Sequence, residues 1–401
     1  MTVEARKPPS QFGAGLRRAL GGRAGWKGFV LQIVFLAVLI WLGYEIYANA
    51  SANLQSQRIA SGFGFLSQTA GFNVSQTLIP YSESDTYAHV FLVGLLNTLL
   101  VACVGIVLAT LIGFVVGIGR LSPNWLIARI AGGYVELIRN LPLLFQILFW
   151  YLAVLAPLPG PRQSISLFDS VFLSNRGLVV PSPQAAAGFD GVLGALVLAV
   201  ILSVLLRLHA RRELFAKGRV VVIWPYVLAL AIGIPAVAVA IFGLPLTFEF
   251  PRLRGFNFAG GLRIVPEFVA LTLALSTYTA AFIAENVRAG IQSVHKGQLE
   301  AGASLGLSRG RTLRLIVLPQ AMRVILPGLT NQYLNLTKNS SLAVAIGYPD
   351  LFSVFAGTTL SQTGQAIEII AITMGVYLLI SLVTSAAMNF YGWRINRSLG
   401  A

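Results

Sequence analysis

The most polar stretch inside an apolar part of this sequence lies towards its carboxyl end and carries one lysine. Lys338 is the single charged residue between positions 324 and 349. Three asparagines spaced four residues apart accompany it: Asn331, Asn335 and Asn339. Such spacing places the amides on one helical face with the lysine beside it, and a charge in apolar surroundings predicts a face turned towards protein or water. We expect Lys338 either to contact the carboxylate of a small solute or to serve the structure, through hydrogen bonds between helices or an ion pair with Glu285.

Weaker candidates for a polar pathway stand at the ends of other uncharged runs. Asn140 and Pro142 begin one such run, and Glu285 ends another. Proline is tolerated in the first turn of a helix, so Pro142 can mark a helix entering an apolar layer. Glu285 is also consistent with a simple boundary between water and the apolar layer.

Residue types that support catalysis or metal binding are scattered. His89, His209 and His295 are far apart, and Cys103 is the only cysteine, so neither a metal cluster nor a disulfide framework is expected. The sequence contains no Gly-x4-Gly-Lys-Ser/Thr phosphate loop, so ATP is not expected to bind this chain. No nucleophile, histidine and acid stand in a recognisable arrangement. We therefore do not expect an enzyme.

Composition indicates a membrane protein that crosses the bilayer many times. Of 401 residues, 56% are hydrophobic and 11% are charged, whereas soluble domains carry about 25% charged residues. So much apolar surface also excludes a disordered chain. About 20 apolar residues are needed for a span, and eight stretches qualify with their flanks, all uncharged except for Lys338 in the seventh. These are 28–44, 86–119, 140–161, 191–206, 220–248, 268–284, 324–349 and 369–393.

The basic residues sort by side when these eight spans alternate across the membrane. With the amino terminus in the cytoplasm, 22 of the 29 lysines and arginines fall inside and six fall outside. This bias predicts that both termini are cytoplasmic, and it explains the net charge of +15 without a nucleic-acid partner. Residues 1–27 form a basic cytoplasmic tail. Residues 28–47 are expected to be a retained anchor, because this apolar run is longer than that of a signal peptide, although Ala48-Asn49-Ala50 imitates a cleavage site.

The predicted cytoplasmic loop 288–323 has the pattern of a helix, a break and a second helix. Gln298 to Leu305 suits a short helix, and Gly306 suits the left-handed position that ends one. Ser308 is a plausible cap for the next helix, which Pro319 is expected to end. Small side chains on the first helix would let another surface approach closely. Binding of the loop arginines to anionic lipid headgroups is the alternative.

Within this loop the sequence resembles a known family. Glu300-Ala301-Gly302 is followed after three residues by Gly306 and after nine more by Ile316-x-Leu318-Pro319. This pattern is similar to the Glu-Ala-Ala loop of permeases of ATP-binding-cassette (ABC) importers, with Gly302 in place of the second alanine. In that family the loop is the coupling helix that docks into a groove of the cytoplasmic ATPase. The resemblance thus implies an ATPase-coupling role for seven residues: Glu300, Ala301, Gly302, Gly306, Ile316, Leu318 and Pro319.

Three other segments resemble the permeases of polar amino acid importers: 139–146, 276–293 and 338–351. The resemblance implies an all-α polytopic fold with about eight transmembrane helices, in which residues 88–158 and 264–395 form the two parts of a type I importer core. Residues 159–263, with two further spans, have no place in that core. A long permease with such an insertion resembles the general L-amino-acid importers of Gram-negative bacteria.

The resemblance implies a transport subunit that forms the translocation pathway of an ATP-driven amino acid importer in the bacterial inner membrane. Three partners are implied: a cytoplasmic ABC ATPase, a second permease in a heterodimer, and a periplasmic amino acid binding protein. No cofactor is expected in this chain, since ATP and Mg would be bound by the ATPase. The competing hypothesis is a secondary transporter of small polar solutes driven by an ion gradient, which needs no ATPase-docking loop.

Overall fold

The computed structural model describes residues 23–56, 62–218 and 222–399, and it is mostly helical. Seven helices in this part of the chain are long and apolar enough to span a membrane. They cover Gly28–Asn49, Tyr87–Gly119, Phe189–Leu214, Trp224–Phe242, Pro266–Gln292, Gly310–Ile346 and Ala366–Ile395. A bent pair of helices raises the number to eight if it is counted as one span. The predicted helical membrane fold with about eight spans is confirmed. Of the predicted basic tail, residues 1–22 lie outside the described residues.

We number the helices along the chain. They are α1 (Arg23–Ser56), α2 (Tyr87–Gly119), α3 (Trp125–Asn140), α4 (Leu143–Leu148), α5 (Phe189–Lys217), α6 (Trp224–Phe242), α7 (Pro266–Gln292), α8 (Lys296–Ser304), α9 (Arg309–Thr312), α10 (Leu318–Asn339), α11 (Leu360–Thr363) and α12 (Ala366–Leu399). Segments of π-helix follow α4 (Phe149–Leu155), join α9 to α10 (Leu313–Val317) and precede α11 (Phe352–Thr359). A 3₁₀ segment, Ser340–Ile346, follows α10.

The centre of the bundle is the pair α2 and α7. A Cβ atom added to Gly113 would lie 2.6 Å from Ile283, and one added to Gly117 would lie 2.8 Å from the carbonyl oxygen of Ala284. The two glycines, four residues apart, therefore let the helices approach closely, as such pairs do in membranes. Helix α10 packs on α7 in the same way, since Gly290 lies against Ile325.

The third predicted span, 140–161, is not one straight helix in the structure. Helix α3 is amphipathic and precedes the run, and the chain then turns through 107° before Leu143–Leu155. Leu141 is extended (φ −98°, ψ 132°), because a residue before proline is disfavoured in the helical region. At 1.5 Å per residue the 13 residues after the bend reach about 20 Å, which is short of a bilayer core.

Pro319 does not end the second helix of the loop, contrary to the expectation from sequence. The chain stays helical from Arg309 through Asn339, with a π-helical turn at Leu313–Val317 just before Pro319. A proline lacks the N–H that would bond to the carbonyl four residues back. The wider π-helical turn lies at this point, and Pro319 occupies the first turn of α10, where its missing N–H is tolerated.

The segments around 160–190 and 248–261, which lie between predicted spans, contain short antiparallel strands. Four form one sheet in the order β1-β2-β3-β8: β1 (Ile165–Leu167), β2 (Val171–Ser174), β3 (Gly177–Val180) and β8 (Leu262–Ile264). Two further pairs are β4 (Ser182–Ala185) with β5 (Leu246–Glu249), and β6 (Arg252–Arg254) with β7 (Asn257–Ala259). Val179 of β3 pairs with Arg263 of β8, so the early part of the insertion 159–263 lies beside its end.

Helix α7 begins directly after β8 and ends four residues before α8. The strands and α8 therefore lie at opposite ends of this one helix, which is roughly 40 Å long for its 27 residues. We call these the strand end and the α8 end of the bundle. Because Gly113, Gly117 and Gly290 fix the alignment of α2 and α10 with α7, Arg120 and Arg323 lie towards the α8 end.

Candidate functional site

Helix α8 has a defined start and a defined end. At its start, Nδ1 of His295 accepts a hydrogen bond from the backbone N–H of Gly297 at 3.1 Å. At its end, the N–H of Leu307 bonds to the carbonyl of Gly302 at 3.1 Å, and that of Gly306 to the carbonyl of Ala303 at 2.9 Å. This pair of bonds is a Schellman motif. Gly306 has φ of 71°, the left-handed conformation expected from the sequence, and α8 begins two residues earlier than Gln298.

The loop motif divides into residues that pack inward and residues that stay accessible. Gly302 is buried, and a Cβ atom on it would lie 2.9 Å from Cγ2 of Thr312 and 3.1 Å from Cδ1 of Ile316. The fold therefore brings Gly302 and Ile316 together across the turn. Glu300 and Ala301 are exposed on α8. Outside this helix, Gly306 and Leu318 are also exposed, and Pro319 is half-buried. Two apolar side chains of the loop, Leu299 and Leu305, are also exposed, at 44% and 79%.

Glu285 belongs to an ion-pair cluster at the α8 end and does not pair with Lys338. Its carboxylate accepts hydrogen bonds from Arg120, which follows α2, and from Arg288, one turn further along α7. Arg288 also donates to Gln292. The cluster ties α2 to the end of α7, next to α8. Sequence reasoning missed Arg120 as a partner because it is 165 residues away along the chain.

Two cavities lie between α10 and α12, and Lys338 and Asn331 each line one of them, whereas Asn335 and Asn339 line neither. Asn331, Asn335 and Lys338 are exposed, and Asn339 is half-buried. Lys338 lines a cavity of about 470 Å³ with Ser341, Thr373 and Tyr377. Asn331 lines a second, of about 590 Å³, towards the α8 end. Within the part of the chain that the structure describes, the ammonium group of Lys338 has no hydrogen-bond or ion-pair partner.

Asn140 and Pro142 lie at the bend after α3 and do not line either cavity. The Asn140 amide donates to the carbonyl of Glu136 at 2.8 Å. The bend is held by Gln146, whose Nε2 donates to the carbonyls of Ile138 and Leu141, each at 3.0 Å. Gln146 stands in the segment 139–146 that resembles other permeases, which was the available signal for its role.

A buried acid, Asp350, anchors the connector between the last two spans. Its carboxylate accepts from the N–H of Ser353 at 2.8 Å and from the hydroxyl of Tyr377 at 3.2 Å. Burial raises the pKa of Asp350 to about 6. The neighbouring Pro349 carbonyl accepts from Asn97 of α2 at 2.9 Å. Asp350 was part of a family-like segment in the sequence, but nothing there showed that it would be buried.

No group of three or more His, Cys, Asp or Glu side chains that could hold a metal ion occurs among the residues described.

Comparison with known proteins assigns the chain to a family. The family model described as "Binding-protein-dependent transport system inner membrane component" matches residues 214–397. The Escherichia coli K12 protein named putative amino-acid ABC transporter permease protein YhdX is 53% identical over 369 residues, which are 92% of this chain and 94% of that protein. The general L-amino acid transport system permease protein AapQ of Rhizobium johnstonii is 49% identical over 91% of each chain.

A solved structure described as an amino acid ABC transporter with histidines is 22% identical, with a TM-score of 0.46 over 77% of this chain and 95% of that one. The two relatives, by contrast, match at about half of all positions over nearly the full length of both chains. The chain therefore belongs to the permease subunits of amino acid ABC importers, which are multi-pass inner-membrane proteins that work with an ATPase and a binding protein.

Proposed function

We propose that this permease carries a broad range of L-amino acids, couples to its ATPase through α8, and shares its pathway with a second, different permease. The observation that carries the coupling assignment is the division of α8 into a buried glycine and an exposed opposite side. Membership in the family leaves no place for the alternative of an ion-gradient-driven secondary transporter. Broad specificity is supported by the similarity to AapQ, which is named for general L-amino acid transport.

The contacts of α8 fit a docking helix. Gly302 fixes the helix against Thr312 and Ile316, and the Schellman motif at Gly306 fixes its end. The opposite side presents Glu300 and small residues, and Leu305 is exposed just after the last residue of the helix. Exposed leucines beside small residues suit a protein groove, since close approach and apolar burial both favour association. Ile316 belongs to the support on which α8 rests, and Leu318 and Pro319 follow it at the start of α10.

The coupling role is tested in the purified complex of permease, ATPase and binding protein. We expect Glu300→Lys and Gly306→Asp to reduce both copurification of the ATPase and ATP-driven uptake. A matched control is Glu83→Lys, another exposed acid, which precedes α2 at the strand end. Normal assembly and uptake in both loop variants would remove the coupling assignment.

For the pathway we propose the face of α10 formed by Asn331, Asn335, Lys338 and Asn339, with Lys338 contacting a carboxylate of the solute. Support comes from its position in a cavity of about 470 Å³, within the usual size of small-molecule sites. The bend residues Asn140 and Pro142 stay secondary candidates. Glu285 is placed in the ion-pair cluster, so its role in the pathway would be indirect.

This pathway role predicts a difference between two substitutions of Lys338. Lys338→Gln removes the charge and should raise the KM of uptake by about tenfold or more, because a hydrogen bond to a charged group is worth about 1.5–3 kcal/mol. Lys338→Arg keeps the charge and should change the KM less. Equal kinetics for the Gln variant and the wild type would exclude the contact.

A second permease is proposed because the α10 face is open. Asn331 and Asn335 are exposed along a helix within a membrane span, and polar side chains facing lipid are unfavourable. A partner covering this face would close the pathway. Coexpression of two differently tagged copies of this chain tests whether the partner is a second copy or a different permease. If the pore is a heterodimer, purification through one tag should recover a second permease and not the other tagged copy.

We propose the core as residues 88–158 and 264–395, interrupted by 159–263, with both termini in the cytoplasm. Closure of β3 on β8 supports the boundaries, because it brings the ends of the insertion together. The orientation is tested with single cysteines in a Cys103→Ala background. Phe168→Cys, in the β1–β2 turn, should react with an impermeant maleimide from the periplasm, and Ser308→Cys should not. The reverse pattern would invert the topology.

A further inference from the structure

The two cavities beside α10 follow one another between the same two helices, and together we call them the groove. Along α10 and the first residues of the 3₁₀ segment after it, the lining repeats every three to four residues from Arg323 to Ser341, and on α12 it does so from Ile370 to Trp393. This repeat keeps the lining on one face of each helix. The groove thus follows roughly 27 Å of this helical stretch, at 1.5 Å per residue, from the α8 end towards the strand end.

Each cavity of this groove contains one cationic side chain. Lys338 lines the cavity nearer the strand end, and Arg323 lines the one nearer the α8 end. Among the residues described, the Arg323 guanidinium has no carboxylate or other hydrogen-bond partner, as is also true of Lys338. Both residues stand on the helical stretch Gly310–Ile346, with Arg323 near its α8 end. A cation that lines a cavity and has no protein partner is available to an anionic ligand.

The groups around Arg323 suit a zwitterion. A guanidinium group binds a carboxylate through two parallel N–H donors. Pro327, which also lines the cavity, has no N–H, so the backbone carbonyl of Arg323 lacks its usual helical donor. That carbonyl is an acceptor for an ammonium group. Further polar groups line the same cavity: Thr330, Asn331, Ser385 and Asn389.

The remaining lining is apolar and would accept amino acid side chains of different size and shape. It includes Leu326, Leu334 and Met388, and the cavity volume of about 590 Å³ exceeds what a single amino acid needs. A site that binds the groups common to all α-amino acids and leaves room for different side chains suits a permease of broad range.

We propose that the Arg323 cavity is a second binding site for α-amino acids, in which the guanidinium group takes the carboxylate and the carbonyl of Arg323 takes the ammonium group. It lies about 22 Å along α10 from Lys338, at 1.5 Å for each of the intervening residues. This inference rests on the proposed amino acid transport. Its position at the α8 end makes it the site that solute on the ATPase side reaches first.

The test is inhibition of uptake by amino acid on the ATPase side of proteoliposomes that contain the complete complex. We expect an internal L-amino acid to inhibit uptake by the wild type and its α-amide to have little effect. Arg323→Gln should raise the half-inhibitory concentration about 10- to 100-fold, since the lost contact is a charged hydrogen bond. Arg323→Lys should raise it less. Arg394→Gln, at the same end of α12 but beside a different cavity next to α5, is the matched control and should resemble the wild type.

Pro327→Ala tests the ammonium contact and carries the test if Arg323→Gln does not assemble. It restores the helical N–H, so the Arg323 carbonyl is no longer free. In this variant, uptake should be inhibited equally by an internal L-amino acid and by its 2-hydroxy acid analogue. In the wild type, the amino acid should be the stronger inhibitor. A wild type without internal inhibition, or Arg323→Gln inhibited like the wild type, overturns the proposal.

A lipid phosphate is the other anion that could fit an arginine near a membrane surface. The assay is therefore run in phosphatidylcholine alone and with added phosphatidylglycerol. If the Arg323→Gln effect appears only with phosphatidylglycerol and does not depend on internal amino acid, the cavity holds lipid and the proposal falls. Absence of any amino acid uptake by the wild type would contradict the proposed function itself. Normal uptake with unchanged inhibition would remove only this site.

Discussion

Gly302 packs so closely against Thr312 that a Cβ atom on the glycine would lie 2.9 Å from Cγ2 of the threonine. The contact joins α8 to the helix that leads into α10. The contact therefore seats α8 on the helical stretch that continues to Arg323 and Lys338. The family pattern has alanine at this position, and in this chain the methyl group of an alanine would lie too close to the threonine opposite it.

The contact predicts a substitution and its rescue. Gly302→Ala should loosen the seating of α8 and lower ATP-driven uptake several-fold, because an extra methyl group in a packed contact costs about 1–3 kcal/mol. Thr312→Ser removes Cγ2 and should restore much of the uptake when combined with Gly302→Ala. Thr312→Ser alone is the control and should be nearly neutral. If the double variant is no better than Gly302→Ala alone, the contact with Thr312 is not the cause.

The left-handed conformation of Gly306 predicts a local effect at the end of α8. Gly306→Ala should weaken the Schellman motif by about 1–2 kcal/mol, since a side chain is unfavourable at positive φ. The measurement is amide hydrogen exchange, in which the Gly306→Ala variant should lose protection at Leu307, whose N–H bonds to Gly302. Gly306→Asn should lose less, because asparagine tolerates this conformation better. Equal protection in all three proteins would contradict the assignment.

The Glu285 cluster predicts a loss of stability that a surface pair does not share. Glu285→Gln removes the acceptor of both Arg120 and Arg288, and should lower the free energy of unfolding by about 1–2 kcal/mol, given that the pairs are partly exposed. Glu213→Gln breaks the exposed pair with Lys217 and should cost at most about 0.5 kcal/mol. Thermal unfolding of the purified complex compares them. Similar melting temperatures for the two variants would show that the cluster does not hold α2 to α7.

Asp350 predicts a pH dependence of stability. Its folded-state pKa, about 6, lies above the ordinary value of 3.8, so folding favours the neutral acid. The protonated form therefore contributes stability that is present below about pH 4 and is lost as the pH rises to about 6. Asp350→Asn cannot ionise, and its melting temperature relative to the wild type should rise over this interval. A constant difference between the two proteins from pH 4 to pH 7 would be inconsistent with a buried, titrating Asp350.

Much of this protein could be predicted from its sequence because membrane burial and backbone geometry leave strong local marks. The low charge and the long apolar runs predicted a polytopic helical protein, since lipid offers no partners for exposed polar groups. Gly306 predicted the end of α8 because the left-handed conformation strongly favours glycine. The spacing from Glu300 to Pro319 indicated the family before any fold was known. The same local rules failed at Pro319, where a π-helical turn lets the helix continue.

Only the tertiary structure decided which residues meet across the bundle. The partner of Glu285 is Arg120 and not Lys338, and the cavity of Arg323 exists only because α12 lies along α10. These contacts join residues that are far apart in the chain, and periodicity within one helix carries no information about them. The four-stranded sheet of the insertion likewise depends on the pairing of β3 with β8, and the helices α5 and α6 lie between these two strands in the sequence. Helical and apolar character were thus set locally, whereas the groove and the ion-pair cluster arose from packing between distant segments.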